Sequence, residues 1–87
     1  MIIEFEEKLL SVIDSSVENA SDDELFAGGY LRGHISLAAA ACEAEGEEAF
    51  SELQARIEAS IEQAKSELSP ADRIIVMEMW QQLTQAV

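Results

Sequence analysis

The chain has 87 residues, 48% of them hydrophobic, which is enough for one small core and too apolar for a disordered segment. With 5 basic against 18 acidic residues the net charge is -13. That balance repels nucleic acid and anionic membranes; its simplest role is to keep a small protein soluble, and its field would attract cations or a basic protein. A single cysteine, Cys42, excludes an internal disulfide and a cysteine-based metal site. The opening MIIEFEEKLL lacks a signal-peptide pattern, and no stretch approaches the roughly 18 apolar residues of a membrane span, so a cytoplasmic protein is expected.

In chain order, the first predicted helix runs from about Ile2 to Asn19. Phe5, Leu9, Val12, Ile13 and Val17 recur at three- and four-residue steps and so share one face. Ser21-Asp22-Asp23-Glu24 reads as a capping box, in which the serine takes the Glu24 amide and Glu24 reaches back. It opens a second helix from Asp22 to about Glu45, with Gly46 placed to end it in a left-handed conformation. The third helix covers about Glu47 to Ser66, with a narrow seam of Phe50, Leu53, Ile57, Ile61, Ala64 and then Leu68. Ser69-Pro70 restarts the chain as an N-cap followed by proline at the first helical position. The fourth helix carries Ile75, Val76, Met79, Trp80 and Leu83 on its apolar face. No run alternates as a strand does. The expected fold is all-α, residues 1–87 forming a single helical domain arranged as a four-helix up-down antiparallel bundle.

The second helix departs from the pattern. Gly28, Gly29 and Gly33 each cost about 1 kcal/mol relative to alanine in a helix interior. One explanation is a kink or break at Gly28-Gly29. The other is close packing. Gly29, Gly33, Ser36 and Ala40 form a small-residue track against which another helix inside the monomer could approach, ahead of a dimer contact as the alternative. On a helical wheel, Phe26, Tyr30, Leu31, His34, Ile35, Leu37, Ala38, Ala41 and Cys42 share a wide apolar arc. Arg32 points away from it among Gly28, Gly29, Ser36 and Ala39, and an internal ion pair is its expected role. His34 is expected to be a partly buried, hydrogen-bonded histidine. Tyr30 is expected in the core with its hydroxyl at the rim, and Cys42 as a small core hydrophobe.

Catalytic and metal constellations are not found. Position 31, three before His34, is leucine, which excludes the Glu-x-x-His motif of di-iron bundles. One histidine and one cysteine fall short of a zinc site, and the carboxylate clusters lack the calcium-loop spacing. No phosphate-binding glycine loop with lysine occurs, no catalytic residues are assigned and no cofactor is expected. On the fourth helix Ile74 and Met77 fall outside the apolar arc, where they either cover a neighbouring helix edge or the end of the first helix, or form an exposed protein-binding patch.

Ser21 to His34, SDDELFAGGYLRGH, resembles the YfcL family of small bacterial proteins, and the likeness extends more loosely to the opening amphipathic helix and to Leu68–Pro70 followed by a helix with Trp80. The resemblance implies a small, acidic, helical protein without an established activity. It carries no catalytic or ligand residues across, and it points to Gly28–His34 as the seat of a family function. The resulting expectation is a non-enzymatic protein-interaction module, with a homodimer as one form, contacting its partner through Arg32, Gly29, Gly33, Ser36, Ile74 and Met77. The alternative is a small-molecule or enzymatic site at Tyr30, Arg32 and His34, which one regular helix cannot gather because Arg32 lies roughly opposite the other two. A purely electrostatic role, binding a basic protein, is a third reading.

Overall fold

The computed structural model describes every residue from Met1 to Val87. Four helices account for it, α1 (Ile2–Ser15), α2 (Asp22–Ala44), α3 (Phe50–Gln63) and α4 (Pro70–Ala86), with no strand. Single 3-10 turns at Val17–Asn19 and Lys65–Glu67 follow α1 and α3. No helix is long and apolar enough to cross a membrane.

Local chemistry sets most of the boundaries. Ser21 N–H donates to Glu24 Oε1 at 3.0 Å and Glu24 N–H to Ser21 Oγ at 3.2 Å, so the capping box that opens α2 is complete. These bonds hold the Glu24 carboxyl below its usual range. At the other end Gly46 has φ +76°. Its amide donates to the Glu43 carbonyl at 3.1 Å and the Glu47 amide to the Cys42 carbonyl at 2.9 Å, the paired bonds of a Schellman stop. Asp72 N–H donates to Ser69 Oγ at 3.2 Å, with Pro70 at the first turn of α4.

Three boundaries differ from the sequence reading, one of them the end of the third helix, expected near Ser66 and found at Gln63, where the chain passes into the Lys65–Glu67 turn. The helix expected to reach Asn19 stops at Ser15, because the Ser15 and Ser16 hydroxyls donate to the Val12 and Ile13 carbonyls, each at 2.9 Å, and the backbone tightens into a 3-10 turn. Val17 thereby leaves the α1 face and is exposed. The third helix starts at Phe50 rather than Glu47, since the chain leaving the Gly46 stop is still extended at Ala49.

The core is one contiguous cluster drawing on all four helices, including Leu9 and Ile13 of α1, Leu31 and Ile35 of α2, Leu53 and Ile57 of α3, and Val76 and Trp80 of α4. The Cα radius of gyration, 12.5 Å, is close to the value of about 12 Å for a compact chain of this length. α2 is the hub and packs against each of the other three helices. Side-chain bonds tie α3 to its neighbours. Arg56 of α3 donates to both Glu45 oxygens at 2.6 and 2.9 Å and to Glu52 at 2.9 Å. Trp80 Nε1 donates to Glu58 Oε2 at 2.8 Å, which satisfies the indole of a buried ring.

α2 runs from Asp22 to Ala44 without interruption, so no break occurs at Gly28-Gly29. Its buried arc is rotated relative to the wheel. Ala27, Gly28, Leu31, Ile35, Ala38, Ala39 and Cys42 are buried, whereas Phe26, Leu37 and Ala41, expected inside, are exposed. A helix covered on several sides buries the positions its neighbours reach, and for small residues such as Ala39 those positions are not the most apolar ones.

Candidate functional site

The glycines separate into two kinds. A Cβ on Gly28 would lie 3.1 Å from Ile13 Cγ2 and 3.8 Å from Met79 Sδ. Gly28 is therefore where α1 comes up against the α2 backbone. A Cβ on Gly29 or Gly33 would meet nothing within 4 Å, and both residues are exposed. The expectation that Gly29 and Gly33 pack closely inside the monomer is thus overturned. The close approach is one residue earlier, and the other two glycines face outward.

What surrounds them is equally informative. From Leu25 to Cys42 the sequence has no Asp, Glu or Lys, and Arg32 is the one permanent charge in a chain that is 26% charged. Helix faces turned to water normally carry charged and polar side chains. Here the outer face of α2 presents Phe26, 40% exposed, and Leu37, 74% exposed, together with Gly29, Gly33 and Ala40. Phe26, Tyr30, Gly33, Leu37 and Ala40 follow one another at steps of four, three, four and three, the spacing of a helix–helix seam. Leu37 also lines a shallow groove of about 300 Å³ between α2 and α3, with Ala38, Ala41, Ala59, Ser60 and, as its one charged residue, Arg56. Sequence reasoning had Gly29, Gly33 and Ser36 as candidates and missed Phe26 and Leu37, which an amphipathic wheel assigns inward. The run without acidic residues was the signal that could have found them.

Arg32 is engaged within the chain. Its Nη2 lies 2.9 Å from Asp14 Oδ2 and its Nε 3.3 Å from Oδ1, joining α2 to α1. The guanidinium holds the Asp14 carboxyl below the usual range. The Arg32–Asp14 pair edges a groove of about 180 Å³ that also includes Gly28, Gly29 and Leu25. His34 faces the other way. It is half-buried, its Nδ1 is hydrogen-bonded to the Ser60 hydroxyl of α3, and its ring lies 4.6 Å from that of Tyr30. Tyr30 and His34 are thus brought together while Arg32, turned toward α1, is not. The Tyr30 hydroxyl, expected at the rim, is buried with no hydrogen-bond partner, and burial pushes its pKa up.

Ile74 and Met77 are 60% and 40% exposed on α4. Met77 lines a separate groove of about 250 Å³ with Leu68, Arg73 and Val76, which shares no residue with the groove at Leu37. No group of three or more His, Cys, Asp or Glu side chains is placed to hold a metal ion.

The family model described as YfcL protein matches residues 3–85. The chain belongs to the YfcL family. It is 46% identical over 87 residues to a protein of Escherichia coli (strain K12) described as uncharacterized protein YfcL, covering 98% of this chain and 95% of that relative. No solved structure matches. Neither description names an activity.

Proposed function

We propose that this YfcL-family chain is a non-enzymatic protein-interaction module whose contact surface is the outer face of α2. The observation that carries the reading is that Gly29 and Gly33 face open space on an uncharged, apolar helix face. Each costs about 1 kcal/mol of helix stability and gains no packing within the monomer. A second helix approaching the backbone at these glycines would use what the folded chain leaves unused. Ser36, half-buried beside them, belongs to the same surface, whereas Arg32 forms its border through Asp14. Ile74 and Met77 offer a second, smaller apolar contact. The same reading takes the four helices as an up-down antiparallel bundle forming one domain, which the short connections between them support. It takes the partner as protein, because a net charge of -13 opposes nucleic acid and anionic lipid.

The test is site-specific photo-crosslinking in cells. A photoreactive residue at position 37 is expected to give discrete adducts that the same residue at the exposed position 81 of α4 does not. Equal labelling at both positions, or none at either, refutes the assignment.

A further inference from the structure

The outer face of α2 has a chemistry at its ends as well as along its length. At its start stand the exposed Asp22 and Asp23, with Glu24 turned back into the capping box, and at its close the exposed Glu43, with Glu45 held by Arg56 and Glu47 and Glu48 past the helix end beside the start of α1; no acidic residue lies between. The uncharged seam from Phe26 to Ala40 spans about 21 Å at 1.5 Å per residue, and the acidic groups bracket it on both sides. The neighbouring cations neutralise the brackets only in part. Arg32 is held by Asp14, Arg56 by Glu45 and Glu52, and Lys65 by Glu62. Only Glu45 of the bracketing carboxylates has a basic partner among these pairs.

Resting on the surface proposed above, we infer that its occupant is a cationic amphipathic helix of another protein. Large apolar side chains of that helix lie along the α2 seam, over Gly33 and beside Leu37, and Lys or Arg clusters near its two ends meet the acidic brackets. The step pattern of the seam, averaging three and a half residues, suits a helix lying nearly alongside α2 rather than crossing it at one point. A contact of that length brings both brackets within reach. Opposite charges at both ends guide encounter and fix register, while the desolvated seam supplies the hold. A second copy of this chain fits less well. Laid parallel, two α2 seams put like brackets side by side, and laid antiparallel they put Asp22–Glu24 against Glu43–Glu48, so acid meets acid in either arrangement.

The test uses the full chain and three synthetic peptides of about 21 residues, measured by fluorescence anisotropy. The first has leucines at seam spacing and lysines in its first and last turns. The second has glutamates in place of the lysines, and the third is a scrambled peptide of the first composition with no seam. The first peptide is expected to bind at least about tenfold tighter than either of the others. Gly33→Gln and Leu37→Gln, which leave every charge in place, are each expected to weaken it about tenfold, and Gln81→Ala, at an exposed position of α4 outside both apolar contacts, to leave it unchanged. Circular dichroism confirms that the variants are folded. Two kinds of binding overturn the inference. One is equal binding of the scrambled cationic peptide, or binding indifferent to Leu37→Gln, which is charge adhesion only. The other is a wild-type chain that sediments as a dimer broken by Gly33→Gln, which makes a second copy the occupant. If crosslinks form at position 37 while the lysine-ended peptide fails to bind, the surface stands and its partner chemistry falls. Absence of both removes the surface itself.

Discussion

Replacing Gly33 by alanine puts a methyl group where no other atom lies within 4 Å, in the interior of a helix that runs unbroken from Asp22 to Ala44. The folded chain has nothing to lose by the change, and the unfolded chain loses conformational freedom. The expected gain is about 1 kcal/mol, which for a domain of this size raises Tm by about 4–8 °C. Gly29→Ala should do the same, and the double variant about twice as much, since two methyl groups at i and i+4 couple only weakly. Gly28→Ala is the internal control. Its methyl would sit 3.1 Å from Ile13 Cγ2, so overpacking of about 1–3 kcal/mol offsets the helix gain and no stabilisation is expected. Thermal melts by circular dichroism and urea titrations at constant m-value measure all four variants. If Gly33→Ala lowers Tm, or Gly28→Ala raises it as much as Gly33→Ala does, the division of the glycines into packed and outward-facing is wrong. Under the proposed function the stabilised double variant should also bind its partner more weakly, because two methyls hold the approaching helix off the backbone. A more stable, poorer binder is the expected trade between stability and function.

Three further outcomes follow from the geometry. Tyr30→Phe removes a buried hydroxyl that has no hydrogen-bond partner, so stability should stay level or rise by up to about 1 kcal/mol in urea titration, and a clear loss would show that the hydroxyl is satisfied in solution. Gly46→Ala forces a side chain into φ +76° and should cost about 1–2 kcal/mol, read as a lowered urea midpoint, whereas Gly46→Asn should cost less. The Asp14, Glu24, Glu45 and Glu62 carboxyls are all held below their ordinary values of 3.8 for Asp and 4.5 for Glu by hydrogen bonds to Arg32, Ser21, Arg56 and Lys65. A depressed carboxyl stabilises the fold above its unfolded value and stops doing so as it protonates, so the urea midpoint should fall as pH is lowered from about 6 to 3, and less steeply in Arg56→Gln.

Much of the fold was legible because its signals are local. Ser21 with Glu24, Ser69 with Pro70, and Gly46 act on amides within a few residues, and each sits where a helix starts or stops. The α3 seam and the α4 face were readable because those helices bury one side only, so periodicity and burial agree. α2 was misread for the opposite reason. It packs against three helices, and the wheel that places Phe26 and Leu37 inward ranks residues by apolarity, while burial follows which neighbours are there. The end of α1 was missed because Ser15 and Ser16 draw on carbonyls that only the formed helix brings within reach.

Composition and spacing alone were sufficient for an acidic, all-helical chain of four segments with the caps of α2 and α4, because helix propensity, capping and periodicity act over a turn or two. Which glycine meets a neighbour, which side of α2 stays open and which carboxylate Arg32 takes were decided only by the tertiary packing. Gly28 and Gly29 are adjacent and chemically identical, and a rotation of one residue, about 100°, turns one toward Ile13 and the other toward water.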